Sequence, residues 1–232
     1  MKLSFTGLIL FTFFSISKMS AQNQFSVAYV TGKFDPTHHP DFTVIASPYT
    51  QLPSIYMRKD AYEAFKKMYD AAAKEKIYLP VVSATRNFEY QKGIWERKWL
   101  KYADIPDADD RAKKILEYSS MPGTSRHHWG TDLDLVNLNN EHFDTGEGIR
   151  TYDWLLTHAS EYGFCQPYTA GRKQGYKEEK WHWSYMPVSK PLTIWAKKNL
   201  NATGVAGFLG AETAVRLDVV HNYVLGINKN CY

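Results

Sequence analysis

Apolar residues along this chain recur first at helical spacing and then at strand spacing, and that alternation sets the expected elements. Tyr62, Phe65, Tyr69 and Ala72 fall on one helical face, predicting a helix capped by Asp60 and running to about Lys76. Ile77 to Ser83 alternates loosely and predicts a strand, with Pro80 marking an edge or a strand start. Asn87 is placed to cap a helix to about Tyr102, and Asp109 to Tyr118 reads as a shorter helix. Gly130 to Val136 predicts a strand, Thr151 to Tyr162 a helix closed by Gly163, and Trp181 to Tyr185 a further strand. Pro191 suits the first turn of a helix, and Ala211 to Leu225, followed by Gly226, predicts the last one. Residues 24 to 58, rich in Pro, Thr and aromatics, read as an irregular or short-stranded arm. Strands and helices mix without a βαβ rhythm, so the expected class is α+β.

The opening residues break this pattern. Lys2 precedes a short apolar run from Leu8 to Ile16, and small residues then lead to Ser20-Ala21 before Gln22. That is the layout of an export signal cleaved after Ala21. The run falls well short of the ~20 residues a membrane span needs, so no stable insertion is expected after cleavage. The chain is expected to be exported, to a periplasmic or extracellular location.

Composition adds limits. With 232 residues, of which 44% are apolar, the chain is long enough for one sizeable core and does not require a second domain. The net charge of +4 is mild, and its Lys and Arg are interspersed with acids, which argues against a nucleic-acid partner. A monomer is expected. Cys165 and Cys231 suffice for one disulfide in an oxidising compartment, which would staple the C-terminal tail to the body. Two separate thiols fit the sequence nearly as well; the bridge is the expectation.

Candidate chemistry concentrates in two segments, Ser125-Arg126-His127-His128-Trp129-Gly130-Thr131-Asp132-Leu133-Asp134 and Glu179-Lys180-Trp181-His182. Two His and one Asp can hold a zinc ion and leave a position open for water. On a strand, Asp132 and Asp134 share one face while Leu133 and Leu135 take the other; His182 likewise opposes Trp181 and Trp183. Two neighbouring strands would then bring Asp134 and His182 to one point, with His127 arriving from the preceding loop. Glu179 stands three residues before His182 and is the candidate general base. Arg86, at the end of a strand, is the candidate clamp for an anionic group, with Gln91 one helical turn on.

Three motifs then make a specific resemblance. Ser83-Ala84-Thr85-Arg86 with Gln91 looks like the Ser-x-x-Arg-x-x-x-x-Gln segment of the VanY-type D-alanyl-D-alanine carboxypeptidases. Pro122-Gly123-Thr124-Ser125, with His127, Gly130 and Asp134, resembles that family's Pro-Gly-x-Ser-x-His-x-x-Gly-x-Ala-x-Asp motif. Glu179-Lys180-Trp181-His182 resembles its Glu-x-x-His segment, and Trp154 to Phe164 its intervening helix. The resemblance implies a small antiparallel sheet flanked by helices, the zinc peptidase fold shared with dipeptidases and hedgehog-like domains. It implies Zn2+ on His127, Asp134 and His182, with Glu179 as base and Arg86, Gln91 and Ser125 about the substrate. It further implies action on peptidoglycan stem peptides, foremost removal of a C-terminal D-alanine. L,D-carboxypeptidase, dipeptidase and endopeptidase activities on the same site, or a non-catalytic wall-binding module, are the alternatives. The expected organisation is a signal peptide at 1–21, an arm at 22–54, the zinc carboxypeptidase core at 55–190, and a C-terminal helical extension at 191–232 packed on the same domain.

The chain departs from that pattern in three places. Asp132 stands where the family usually has Ala, leaving it open as a supporting group, an alternative ligand or a restraint on the groove. Ala84-Thr85 replaces the usual Gly-Tyr before the Arg, and residues 191 to 232 have no recognised counterpart. His128, His38-His39, His142, His158 and His221 read as structural or loop residues, and Trp129, Trp181 and Trp183 as core or groove walls.

Overall fold

The computed structural model describes residues 25–232; the expected export signal lies outside them. The arm contributes a single helical turn, α1 (Val27–Val30), and a two-stranded antiparallel pair, β1 (Phe42–Val44) with β2 (Tyr56–Arg58). Helix α2 (Lys59–Lys74) follows without a gap. Its N-cap is Arg58, which makes no side-chain cap bond, and Asp60 lies in the first turn instead. The Asp60 carboxylate is held by the Arg58 guanidinium at 3.1 and 3.0 Å. An acid in the first turn still meets free N–H groups, and Asp60 accepts from the Ala61 N–H.

A four-stranded sheet forms the centre, with β3 (Val81–Ser83), β4 (Asp132–Leu135), β6 (His182–Tyr185) and β5 (Phe164–Cys165) in that spatial order and every pair antiparallel. Strand β3 is an edge strand and shorter than expected, beginning only after Pro80, where the missing N–H no longer interrupts a ladder. Leu133, Leu135 and Trp183 face a core built with Phe65, Met68 and Ala72 of α2. Trp154 and Leu155 complete that core from α5 (Gly146–His158). Helix α5 starts five residues earlier than expected and passes into a 3₁₀ turn closed by Gly163 at φ +83°.

A second core joins α3 (Phe88–Lys101) and α4 (Ala108–Ile115) to the C-terminal segment through Trp95, Trp99, Ile115, Ala214, Val219 and Ile227. Asn87 caps α3 by accepting the Tyr90 N–H at 2.8 Å. Cys165 and Cys231 are disulfide-bonded across 66 residues, tying the C-terminal tail to the β5 edge.

Two expectations near the C-terminus are corrected. Helix α6 (Met186–Asn199) begins with Pro187 in its first turn, and Pro191 lies inside it. Pro191 therefore costs one bond only, to the Pro187 carbonyl, early enough in the helix for the rest to propagate. The last stretch is not one helix but α7 (Thr213–Arg216), a break at Asp218 with φ +42°, and a π-helical turn over Val220–Val224. Ala214 and Val219 pack into the α3–α4 core, whereas Val224 packs with Tyr29, Trp129 and Leu192, so no straight helix could bury both sets.

Candidate metal centre

The antiparallel register of β4 and β6 places the chemistry. Asp132 pairs with Ser184, Leu133 with Trp183, and Asp134 with His182. Side chains directly opposite on one face are neighbours, so the acids of β4 meet the imidazole and hydroxyl of β6 on the face turned away from the Leu133–Trp183 core. Asp134 Oδ1 lies 3.0 Å from His182 Nδ1.

His127 comes from the 3₁₀ turn Arg126–Trp129, which Ser125 opens by accepting the His127 N–H at 3.3 Å. Gly130 closes the turn at φ +72°, and a Cβ there would stand 2.3 Å from Phe42 Cε1. Glycine is required at this point both by backbone conformation and by space. The His127 ring donates from Nδ1 to the Ala84 carbonyl at 2.7 Å, leaving Nε2 buried without a hydrogen-bond partner among the described residues and 3.4 Å from Asp134 Oδ2.

His127, Asp134 and His182 each offer one ligand atom, and these atoms lie within 4.8 Å of one another. An unpartnered imidazole nitrogen beside a carboxylate and a second imidazole fits a divalent ion of zinc type. Burial would by itself raise the Asp134 carboxyl, yet His127 and His182 hold it well below the usual carboxylate range. Burial and the nearby Arg86 guanidinium lower His127, favouring the neutral ring that can ligate. Burial opposes a charge on His182, but Asp132 and Asp134 raise it to about 9 in the metal-free protein.

Glu179 Oε2 lies 3.6 Å from His182 Nδ1. Burial, reinforced by the Asp134 charge, pushes its carboxyl up to about 8. A carboxylate so raised is suited to taking and returning a proton near neutral pH.

The three candidate ligand residues and Glu179 lie in a cavity of about 570 Å³ that Arg86, Gln91, Lys98, Ser119 and Tyr168 also line. Arg86 keeps a buried Nε without a partner among the described residues. Gln91 donates to the Ser120 carbonyl at 2.8 Å and leaves its Oε1 unpartnered. Ser125 is not among the lining residues; its hydroxyl is engaged at the 3₁₀ turn, and Ser119 and Ser120 take the place at the wall. His128 turns away from the centre, its ring held between the Arg86 carbonyl and the Gly123 N–H. Burial keeps it neutral, with a pKa of about 3.

The sequence reading missed two groups. Lys98, seven residues after Gln91 on α3, enters the cavity and donates to Ser119 Oγ at 2.5 Å. The i, i+7 spacing from Gln91 was the available signal. Arg126 is completely buried against Asp132, and nothing local to a single arginine in a loop announced that.

Residues 54–188 match the sequence family described as VanY, D-alanyl-D-alanine carboxypeptidase. The chain belongs to the VanY family. Among curated members it is 34% identical over 137 residues to YodJ of Bacillus subtilis, which is named as a candidate carboxypeptidase. That match covers 56% of this chain and 46% of YodJ. It is 28% identical over 131 residues to an Enterococcus faecalis protein named D-alanyl-D-alanine carboxypeptidase, covering 55% and 47% respectively. This VanY-family chain thus spans about half the length of the curated relatives it matches. Among solved structures, the LdcB LD-carboxypeptidase shares the fold, with a TM-score of 0.55 and 24% identity over 78% of this chain and 79% of that one.

Proposed function

We propose that this protein is an exported, zinc-dependent carboxypeptidase that removes the C-terminal D-alanine from peptidoglycan stem peptides. The observation that carries the reading is the convergence of His127 Nε2, the Asp134 carboxylate and His182 Nδ1 beside Glu179 in one cavity. Family membership and the names of the relatives support the substrate class. The Cys165–Cys231 bridge agrees with action outside the cytoplasm. Among the described residues, no helix is long and apolar enough to cross a membrane.

His127, Asp134 and His182 would hold the ion, which supplies Lewis acidity towards the scissile carbonyl and towards water. Glu179 takes the proton of the attacking water and delivers it to the departing amine, which requires a carboxylate that is neither too acidic nor permanently protonated. Arg86, with its free Nε, stabilises charge developing on the carbonyl oxygen or pairs with the substrate carboxylate. Gln91 offers its free carbonyl oxygen to a substrate N–H.

The test is incubation of zinc-loaded protein with defined tetrapeptide and pentapeptide stems, followed by product masses. Loss of one D-alanine from the pentapeptide is expected. Shortening of the tetrapeptide instead would assign an L,D-carboxypeptidase, and an internal cut would refute the carboxypeptidase reading.

A further inference from the structure

Asp132 is a fully buried acid two residues before Asp134 on β4, and its surroundings show what it does. Each of its oxygens is used twice. Oδ1 accepts from the Thr131 and Ser184 hydroxyls, both at 2.7 Å. Oδ2 accepts from Arg126 Nε at 2.9 Å and lies 2.9 Å from His182 Nε2. A carboxylate so saturated has no lone pair left for an ion, and Asp132 is not part of the converging ligand group. The structure thereby closes the reading of Asp132 as an alternative ligand.

The contact with His182 is on the ring nitrogen that the metal does not need. Nδ1 points at Asp134 and the ligand group; Nε2 points at Asp132. A neutral imidazole that donates one N–H to a carboxylate presents the other nitrogen as a lone pair, with its ring plane fixed.

Asp132 is in turn clamped from behind. Arg126 is 1% exposed and sits over the Trp129 ring at 4.5 Å. It donates from Nη2 to Ser184 at 2.8 Å and from Nη1 to Thr193 at 2.9 Å. Thr193 donates onward to the Ser189 carbonyl within α6. Thr193 lies beyond the family-matched residues 54–188, so the segment without a recognised counterpart reaches the metal centre through this chain of bonds.

We propose that Asp132 is a positioning residue for His182, holding it in the Nε2–H tautomer with Nδ1 aimed at the metal, and that Arg126 and Thr193 brace it. The inference rests on the zinc-site reading given above. It makes the Arg126–Asp132 pair a device that presets one ligand, so that binding the ion does not have to order the ring.

The experiment compares wild type with the double variant Arg126→Met/Asp132→Leu, which removes both charges together and so leaves no unpaired ion in the core. Zinc affinity is read by competition with a chromophoric chelator, and the His182 Nε2 proton by NMR of zinc-loaded, 15N-histidine-labelled protein. Roughly 10- to 100-fold weaker zinc binding is expected, with loss of the hydrogen-bonded Nε2–H resonance seen in wild type. Asp132→Asn, which keeps shape and acceptor but not charge, decides the matter if the double variant does not fold, and should give an intermediate affinity. A folded variant that binds zinc as tightly as wild type with the Nε2 proton in place overturns the inference alone. A wild type that binds no zinc overturns the metal centre, and this inference with it.

Discussion

Asp134 and His182 face each other directly across the β4–β6 pair, with Oδ1 and Nδ1 3.0 Å apart. The two residues are 48 positions apart in the chain, and only strand register makes them neighbours. A slip of one residue would bury Asp134 against α2 and turn Leu133 into the cavity, so core packing and ligand geometry are specified by the same alternation.

Glu179 is the residue assigned to proton transfer and not to the ion. Glu179→Gln should lower kcat by about 100-fold or more and leave zinc stoichiometry unchanged. Steady-state kinetics beside metal analysis of the same sample checks it; undiminished turnover would remove Glu179 from that role.

The metal-free protein has a pH dependence with a definite sign. In the metal-free protein His182 is raised from 6.5 to about 9 and Glu179 from 4.5 to about 8. Both groups hold protons in the folded state that the unfolded chain has already released. Their contribution to stability is therefore complete below the unfolded values, declines as pH rises above them, and is lost once pH has passed about 8 to 9. Thermal melts of the chelator-treated protein should show Tm falling across that window. Zinc affinity should rise over the same range, because the ion competes with the His182 Nδ1 proton.

Among the described residues, Lys98 and Arg86 are the two cationic side chains lining the cavity, His aside. Burial and the Arg86 charge lower Lys98 from its ordinary value, and its ammonium is anchored on Ser119. A second cation beside the centre suits a substrate ending in a free carboxylate. Lys98→Met should raise KM for a stem peptide about 10- to 100-fold, with kcat less affected. A peptide amidated at its C-terminus should show no such difference between wild type and variant.

The Cys165–Cys231 bridge closes a loop of 66 residues, worth about 4 kcal/mol on the chain-entropy account. The double substitution Cys165→Ala/Cys231→Ala should lower Tm by roughly 10 °C in calorimetry. Zinc affinity of the folded fraction should hardly change, since the bridge lies at β5 while the proposed ligands lie on β4, β6 and the turn before β4.

Gly130 tolerates no side chain. Gly130→Ala forces a Cβ into the Phe42 ring and a disfavoured left-handed backbone, so a loss of about 1–3 kcal/mol in denaturant unfolding is expected.

Local pattern in the sequence was enough to determine the α+β class, the α3 helix with its Asn87 cap, and the alternation that puts Asp132 and Asp134 on one strand face. Such features depend on neighbours two to four residues apart, and the chain displays them directly. The motifs likewise marked His127, Asp134, Glu179 and His182 as a set. The helix ends and the final segment were decided elsewhere: Pro191 is accommodated because Pro187 starts α6 earlier, and residues 211–225 break because they serve two separate cores. The meaning of Asp132 was also a tertiary matter. Whether a second acid binds metal, shapes a groove or orients a ligand depends on partners 6, 50 and 52 residues away, namely Arg126, His182 and Ser184. Spacing along the chain could name the acid, but only the packed sheet, with Arg126 buried behind it, could show which of its neighbours would use it.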